Sequence, residues 1–197
     1  MKDSKIILKE LFRKSIHLCS SIVPFLFASF YWYTVYGLLI IVSLYYLCEL
    51  ARLEGHPVPV VSLITETASR QRDEYKFVLG PVTLVLGIVF AALVLPLDCA
   101  RIGIFALAFG DGLASLAGKI FGRIKIPFTG GKTLEGSLTC FTAVFISTFV
   151  VTRHPLISLL IAFVAMIIEV LPLGDWDNMI IPVCTGGVYW LLQNFCL

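Results

Sequence analysis

The sequence predicts an all-α membrane protein, a polytopic bundle of about seven transmembrane helices with a cytoplasmic N-terminus. Of its 197 residues, 58% are hydrophobic and 14% are charged, and the mean hydropathy is +0.94. A water-soluble domain draws roughly a quarter of its residues from Asp, Glu, Lys and Arg. This chain has too few charged side chains to cover a soluble globule. The composition therefore excludes a disordered chain, a nucleic-acid-binding surface and an ordinary cytosolic enzyme.

Seven apolar runs match the roughly 17 to 25 helical residues that cross a hydrocarbon core about 30 Å thick, although some are slightly short. The first two meet at Tyr31-Trp32-Tyr33, an aromatic sequence typical of an interfacial turn. No repeat or soluble domain interrupts the series, so we expect one membrane domain, 1–197, whose residues 1–14 form a cytoplasmic segment. The predicted spans are 16–31, 33–50, 77–97, 102–121, 134–152, 156–171 and 179–195.

Lysine and arginine residues are distributed very unevenly between the predicted loops. All but two of the 15 fall on the side of the N-terminus, and Arg101 and Arg153 are left on the other side. Loops rich in Lys and Arg are retained in the cytoplasm, so the N-terminus is predicted to be cytoplasmic. Nearly all acidic residues fall on that side too, with Asp98 as the clear exception. Acidic residues contribute little to orientation, so their gathering there indicates a polar site at the cytoplasmic face.

Small residues recur at every fourth position in the fourth predicted span. They are Gly110, Ala114, Gly118 and Gly122. This spacing places them on one stripe of a helix, where they let a neighbouring helix approach closely. The stripe by itself predicts helix packing.

Asp111 lies within the same apolar span, on the stripe next to the small residues. Ser115 and Lys119 follow at the same spacing, so a carboxylate, a hydroxyl and a cation line one helix face. An ionisable group inside a span costs roughly 3 kcal/mol on insertion scales, and its presence indicates a function. The alternative is a helix-packing salt bridge between Asp111 and an Arg or Lys.

The segment 130–137, Gly-Gly-Lys-Thr-Leu-Glu-Gly-Ser, partly resembles a phosphate-binding P-loop. A P-loop requires glycine where this chain has Ile126, and it lies in a strand-to-helix turn. The backbone N–H groups of Gly130 and Gly131, Lys132 and a helix N-terminus near Thr133 would still suit a phosphate. The alternative is that Thr133 is only an N-cap.

A second acidic cluster follows the sixth predicted span. Glu169 lies near the end of that apolar run, and Asp175, Asp177 and Asn178 come shortly after it. Mg²⁺ prefers such oxygen ligands when it bridges protein carboxylates and nucleotide phosphates. The cluster therefore predicts a magnesium site, with ordinary acidic turn residues as the alternative.

Further polar residues flank the first three spans on the same face. His17 stands at the start of the first span, Glu49 and Arg52 close the second, and Arg70 and Arg72 precede the third. Cations beside a membrane commonly fix topology and attract anionic lipid, which is the alternative to a binding role. His17 is equally compatible with packing and with catalysis.

Four motifs, in order along the chain, resemble those of the polyprenol kinases, which include dolichol kinase, phytol kinase and CTP-dependent diacylglycerol kinase. The motifs are Arg13-Lys14-x-x-His17, Gly110-Asp111-x-x-Ala114-x-x-x-Gly118, Gly131-Lys-Thr-x-Glu-Gly-Ser137 and Glu169-x(7)-Asp177-Asn178-x-x-x-Pro182. The resemblance implies an integral-membrane kinase that transfers a phosphoryl group from a nucleoside triphosphate, characteristically CTP, to the hydroxyl of a membrane lipid. Polyprenol, dolichol, phytol and diacylglycerol all remain open as acceptors.

The resemblance also leads to roles for individual residues. Asp111, Glu135 and Asp177 would hold Mg²⁺ on the triphosphate. The predicted catalytic residues are Asp111, Lys132, Glu135, Glu169 and His17, of which Glu169, Asp111 and His17 are candidates for a general base. The predicted nucleotide-binding residues are Lys119, Arg123, Gly130, Gly131, Lys132, Thr133, Ser137, Arg70, Arg72 and Asn178.

Two other functions remain open at this stage. The central region is also similar to CTP:phosphatidate cytidylyltransferases, but the chain has Thr129-Gly-Gly-Lys-Thr133 in place of their Ser-Pro-Lys-Lys-Thr run. A small secondary transporter would also place charges within spans, although the polar residues here gather at one face. The predicted location is a bacterial inner membrane or the endoplasmic reticulum, with the active face cytoplasmic.

Overall fold

The computed structural model describes residues 2–68 and 76–195, which fold mainly into α-helices and confirm the predicted all-α class. A 3₁₀ turn, Ser20–Ile22, joins the first two helices, and a π-helical turn, Ala106–Asp111, joins the fifth and sixth. The helices are α1 (Lys2–Cys19), α2 (Val23–Leu53), α3 (Pro59–Ala68), α4 (Gly80–Val94), α5 (Leu97–Phe105), α6 (Gly112–Phe121), α7 (Leu134–Thr152), α8 (Pro155–Val170) and α9 (Asp177–Phe195).

Three helical stretches among the described residues are long and apolar enough to cross a membrane. They are Ile7–Leu53, Leu97–Phe121 and Leu134–Thr152. Two shorter helices, α4 and α8, are also strongly apolar. These lengths and compositions are compatible with a membrane bundle, whereas the number of crossings stays a prediction.

The first of these stretches is broken at Phe30, whose backbone angles (φ −142°, ψ 56°) are not helical. Beyond the break, Tyr31 donates a hydrogen bond of 2.7 Å to the carbonyl of Ala92, near the end of α4. Further along, Tyr45 donates one of 3.0 Å to the carbonyl of Val78, just before α4 begins. The second arm of α2 therefore runs antiparallel to α4. The break lies immediately before the predicted aromatic turn, although a kink between helical residues replaces the expected loop.

The continuous helix formed by α5, the π-helical turn and α6 contains much of the core. Gly103 lies so close to the carbonyl of Pro182 in α9 that a single added methyl group would collide with the backbone. Lipid tails are as apolar as the side chains, so such close packing, rather than a hydrophobic driving force, holds membrane helices together. The most deeply buried side chains of this helix are Cys99, Ala100, Ile102, Ile104, Ala106, Leu107 and Ala108.

The predicted stripe of small residues on α6 packs against α7. A methyl group built on Gly110 would lie 2.7 Å from Val144 Cγ2, and one built on Gly118 would lie 2.9 Å from Thr133 Oγ1. The other close-packed residues of this α6–α7 seam are Ala114, Gly122 and Gly136. The spacing therefore predicted the packing face correctly.

The helix boundaries were predicted best in the second half of the chain. The last three predicted spans match α7, α8 and α9 closely. The third span is shorter than predicted, because α4 ends at Val94 and Pro96 then precedes α5. Two helical segments were not predicted. These are α3 and the beginning of α1, which is helical from Lys2.

Candidate active site

Asp111 ends the π-helical turn, and its side chain faces α1. Asp111 Oδ2 accepts a hydrogen bond from Lys14 Nζ at 2.5 Å and lies 3.2 Å from His17 Nδ1, which makes no aligned hydrogen bond. All three side chains are buried. The salt bridge that was the alternative for Asp111 is therefore present, with a histidine beside it. π-Helical turns are rare and often mark functional sites.

Glu10 occupies the neighbouring position toward the start of α1. Its Oε1 accepts hydrogen bonds of 2.5 Å from Ser115 Oγ and from Arg13 Nη2, and its Oε2 accepts one from Lys119 Nζ. Glu10 itself is buried. The predicted polar stripe of Asp111, Ser115 and Lys119 does form one helix face, and that face packs against α1. The α1–α6 cluster comprises Glu10, Arg13, Lys14, His17, Asp111, Ser115 and Lys119.

Sequence reasoning missed the importance of Glu10 and treated Lys14 only as a motif residue that also sets topology. A signal was present, because Glu10, Lys14 and His17 are spaced by four and three residues and so share one helix face. What the spacing could not show is that α1 runs antiparallel to α6. That arrangement brings Glu10 to Lys119 and Lys14 to Asp111.

A second polar group, the α7–α8 group, joins the start of α7 to the end of α8. Lys132 Nζ lies 3.4 Å from Glu169 Oε1, and Ser137 Oγ donates a hydrogen bond of 3.2 Å to Glu169 Oε2. Thr133 caps α7, since its Oγ1 accepts the N–H of Gly136 at 3.2 Å. Three predicted site residues, Lys132, Ser137 and Glu169, are thus brought together.

The segment 123–133, the hairpin loop, connects α6 to α7 and is held at its base by backbone hydrogen bonds. Glu135 closes it further, because Glu135 Oε1 accepts the N–H groups of Arg123 at 2.9 Å and Ile124 at 3.2 Å. Gly130 and Gly131 have positive φ angles of 73° and 98°, and a methyl group on either would meet nothing within 4 Å. Their backbone therefore borders open space, as a phosphate-binding loop requires.

Cys140 is buried on α7 and faces Gly110. A methyl group on Gly110, the residue before Asp111, would lie 3.2 Å from Cys140 Sγ. Ser137, which contacts Glu169, lies about one helical turn before Cys140 on α7. The two polar groups therefore flank the same α6–α7 seam.

Asp177 and Asn178 begin α9, and both are buried. The Asn178 side-chain amide donates hydrogen bonds to the carbonyl of Gly80 at 3.2 Å and to Thr83 Oγ1 at 3.0 Å. These bonds join α9 to α4. The nucleotide-binding role of Asn178 stays a prediction.

The predicted magnesium ligands are not assembled into one set. Within residues 2–68 and 76–195, no three His, Cys, Asp or Glu side chains lie close enough together to hold a metal ion. Asp111 instead contacts Lys14, and Glu135 contacts the backbone of the hairpin loop. In this arrangement the described residues do not form a site for Mg²⁺. The assignment of Mg²⁺ to Asp111, Glu135 and Asp177 stays a prediction.

Three further predicted phosphate-binding cations are not placed in either polar group. Arg123 is exposed at the start of the hairpin loop, where its backbone N–H bonds to Glu135. Arg70 and Arg72 lie outside the residues that the structure describes. Their predicted roles stay untested.

Curated relatives of the chain are lipid kinases by name. It is 29% identical over 145 residues to a probable phytol kinase 1, chloroplastic, of Glycine max (64% of this chain, 47% of the relative). It is 33% identical over 110 residues to a phytol kinase of Synechocystis sp. (51% and 47%). It is also 32% identical over 133 residues to CTP-dependent diacylglycerol kinase 1 of Eremothecium gossypii (54% and 42%).

These matches confirm the resemblance to the polyprenol kinase family that the motifs predicted. The chain spans about half the length of the curated relatives it matches. No family model matches the chain. No solved structure matches it either.

Proposed function

We propose that this chain, which resembles the polyprenol kinases in its motifs and its overall sequence, is a CTP-dependent lipid kinase. It would move the γ-phosphoryl group to the hydroxyl of a membrane lipid alcohol and release CDP. The observation that carries the proposal is the buried contact of Asp111 with Lys14 and His17 inside an apolar bundle. Charges are costly among membrane-spanning helices and mark function there.

The cations of the α1–α6 cluster support an anionic ligand. Arg13, Lys14 and Lys119 place three positive charges beside the carboxylates of Glu10 and Asp111. The Lys119 side chain is 40% exposed and can reach a ligand from the aqueous side. A triphosphate is an anion that such an exposed cation would attract.

The hairpin loop supports the same ligand from the other side of the seam. Lys132 is partly exposed next to Gly130 and Gly131, whose backbone borders open space. In phosphoryl transfer, positioning and charge neutralisation supply most of the catalysis. Cations on two sides of one seam would hold the phosphates while a lipid hydroxyl approaches sideways from the bilayer.

The proposed reaction forms a bond from the lipid oxygen to the γ-phosphorus and breaks the bond from that phosphorus to the bridging oxygen. The hydroxyl proton passes to a base of this chain. Asp111 and Glu169 are the carboxylate candidates, since each is buried beside a lysine, and His17 is the third. No step is assigned to a metal ion.

The test is a phosphorylation assay with the purified protein in lipid nanodiscs. CTP and ATP are compared as donors, each with phytol, a polyprenol and diacylglycerol, and both the lipid product and the released nucleotide are measured. We expect equal amounts of lipid phosphate and CDP. Asp111→Asn should lower turnover by at least a hundredfold. Asp98→Asn, which changes an exposed carboxylate at the start of the same continuous helix, should retain full turnover.

Each other outcome contradicts the proposal in a distinct way. Pyrophosphate released together with a CDP-linked lipid would identify a cytidylyltransferase. Solute uptake into liposomes without nucleotide, in the absence of any lipid phosphate, would identify a transporter. Wild-type turnover in Asp111→Asn would show that the site is elsewhere.

A further inference from the structure

Glu10 makes more polar contacts than a simple helix-packing residue requires. Its two carboxylate oxygens accept from a hydroxyl, a guanidinium and an ammonium, contributed by Ser115, Arg13 and Lys119. A carboxylate offers roughly four acceptor positions, so most of its capacity is used. One carboxylate therefore fixes two cations that belong to two different helices.

The burial of these groups is graded. Glu10 has a side-chain exposure of 2%, whereas Arg13 has 17% and Lys119 has 40%. The Glu10 carboxylate is thus buried, whereas the two cations lie closer to the protein surface. The Lys119 ammonium has three donors, and its contact with Glu10 uses only part of them. The partly exposed ammonium is therefore held in place for an anion that arrives from water.

We infer that Glu10 is a positioning residue that orients Lys119 toward the phosphates of a nucleoside triphosphate. This inference rests on the proposed function. Without Glu10, the flexible Lys119 side chain would lose its anchor and would have to be ordered by the ligand itself. Ordering such a side chain on binding costs free energy that a preset site avoids.

Glu49 provides a matched control in the same chain. It is also fully buried, and its carboxylate pairs with an arginine three residues later, Arg52, through two hydrogen bonds of 2.8 Å. It also accepts the N–H of Val78 at 2.9 Å. Glu49 is therefore, like Glu10, a buried carboxylate that pairs with an arginine three residues later. It lies on the arm of α2 that packs along α4.

The experiment measures the nucleotide KM, kcat and melting temperature of Glu10→Gln, Lys119→Met, the double variant and Glu49→Gln. Triphosphate binding is measured separately, as the rise in melting temperature that CTP causes. We expect Glu10→Gln and Lys119→Met each to raise the nucleotide KM about tenfold, with lipid KM unchanged. The double variant should be no worse than either single one, because both changes remove the same positioned cation. Glu49→Gln should lower the melting temperature while leaving the nucleotide KM within twofold.

The inference would be overturned if Glu10→Gln left the nucleotide KM unchanged. It would also be overturned if the double variant raised the nucleotide KM by the product of the two single effects. If Glu10→Gln does not fold, Ser115→Ala is a milder substitution, because it removes only one hydrogen bond to Glu10. It should raise the nucleotide KM about threefold, and an unchanged KM would overturn the inference. The two proposals fail separately. If the protein transfers no phosphoryl group but Glu10→Gln still weakens triphosphate binding, only the kinase reaction is refuted. If the protein transfers the phosphoryl group but Glu10→Gln leaves triphosphate binding unchanged, only the positioning role is refuted.

Discussion

Removal of Lys14 is predicted to destabilise the protein strongly, and removal of its partner as well should restore stability. The ion pair between Lys14 and Asp111 is 2.5 Å long, and the two side chains are 2% and 7% exposed. Lys14→Met keeps a similar side-chain volume but leaves the Asp111 carboxylate buried with only His17 beside it. The double variant Lys14→Met, Asp111→Leu removes both charges.

The expected magnitude follows from the burial. Removing one partner of a buried ion pair costs about 3–5 kcal/mol, because the other charge is left uncompensated. His17 lies 3.2 Å from Asp111 but makes no aligned hydrogen bond, so it offsets little of this cost, and we expect at least about 3 kcal/mol. For a chain of this size, each kcal/mol lowers the melting temperature by roughly 2–4 °C, which gives a decrease of about 6–12 °C. Replacing both partners by apolar residues is often nearly neutral, so the double variant should return close to the wild-type value.

The measurement is thermal unfolding of the detergent-solubilised protein, followed by the loss of its helical circular dichroism. Asp98→Asn serves as the control, because its pair with Arg101 is exposed and should contribute less than about 1 kcal/mol. Both Lys14 variants should lack kinase activity, even though only the single variant is unstable. A double variant as unstable as the single one would refute the argument from uncompensated charge.

Three further substitutions test the packing and the loop. Gly103→Val should lower stability by at least about 2 kcal/mol, since its side chain would meet the backbone of Pro182, whereas Gly37→Ala, which faces open space, should leave the melting temperature nearly unchanged. Thr133→Ala should cost about 1 kcal/mol in thermal unfolding through loss of the N-cap, and Thr133→Ser should restore most of it; equal stabilities for both would contradict the capping role. Glu135→Ala should speed amide hydrogen exchange in the hairpin loop, where two N–H groups lose their acceptor, and unchanged exchange would show that Glu135 does not hold the loop.

Several local features of the fold were predictable because they depend on residues that are close in the chain. The four-residue spacing of Gly110 and Gly118 identified the face of α6 that packs on α7. Thr133 was considered as an N-cap, and the structure shows that it caps α7. The apolar spans were located from runs of consecutive hydrophobic residues. Each of these depends on helical periodicity or on contacts within one turn, and both can be deduced from the sequence.

The residues of the candidate site were only partly predictable. Asp111 and Lys132 were predicted as site residues, since a carboxylate within a span and a lysine after two glycines are unusual, and the structure places each beside an oppositely charged side chain. Glu10 was missed, because an acid near a charged N-terminus looks like a solvated residue until α1 is known to lie against α6. The magnesium set stays a prediction, and two of its members, Asp111 and Glu135, contact other groups in the structure.

The sequence by itself determined the all-α membrane class and predicted that polar residues gather at one face, because hydropathy and helical spacing are properties of consecutive residues. Only the tertiary structure decided which of those residues meet. Glu10 and Lys119 are far apart along the chain, and their contact follows from the antiparallel packing of α1 on α6. That packing depends on the shapes and charges of whole helix faces. A pattern within either helix alone does not specify its partner.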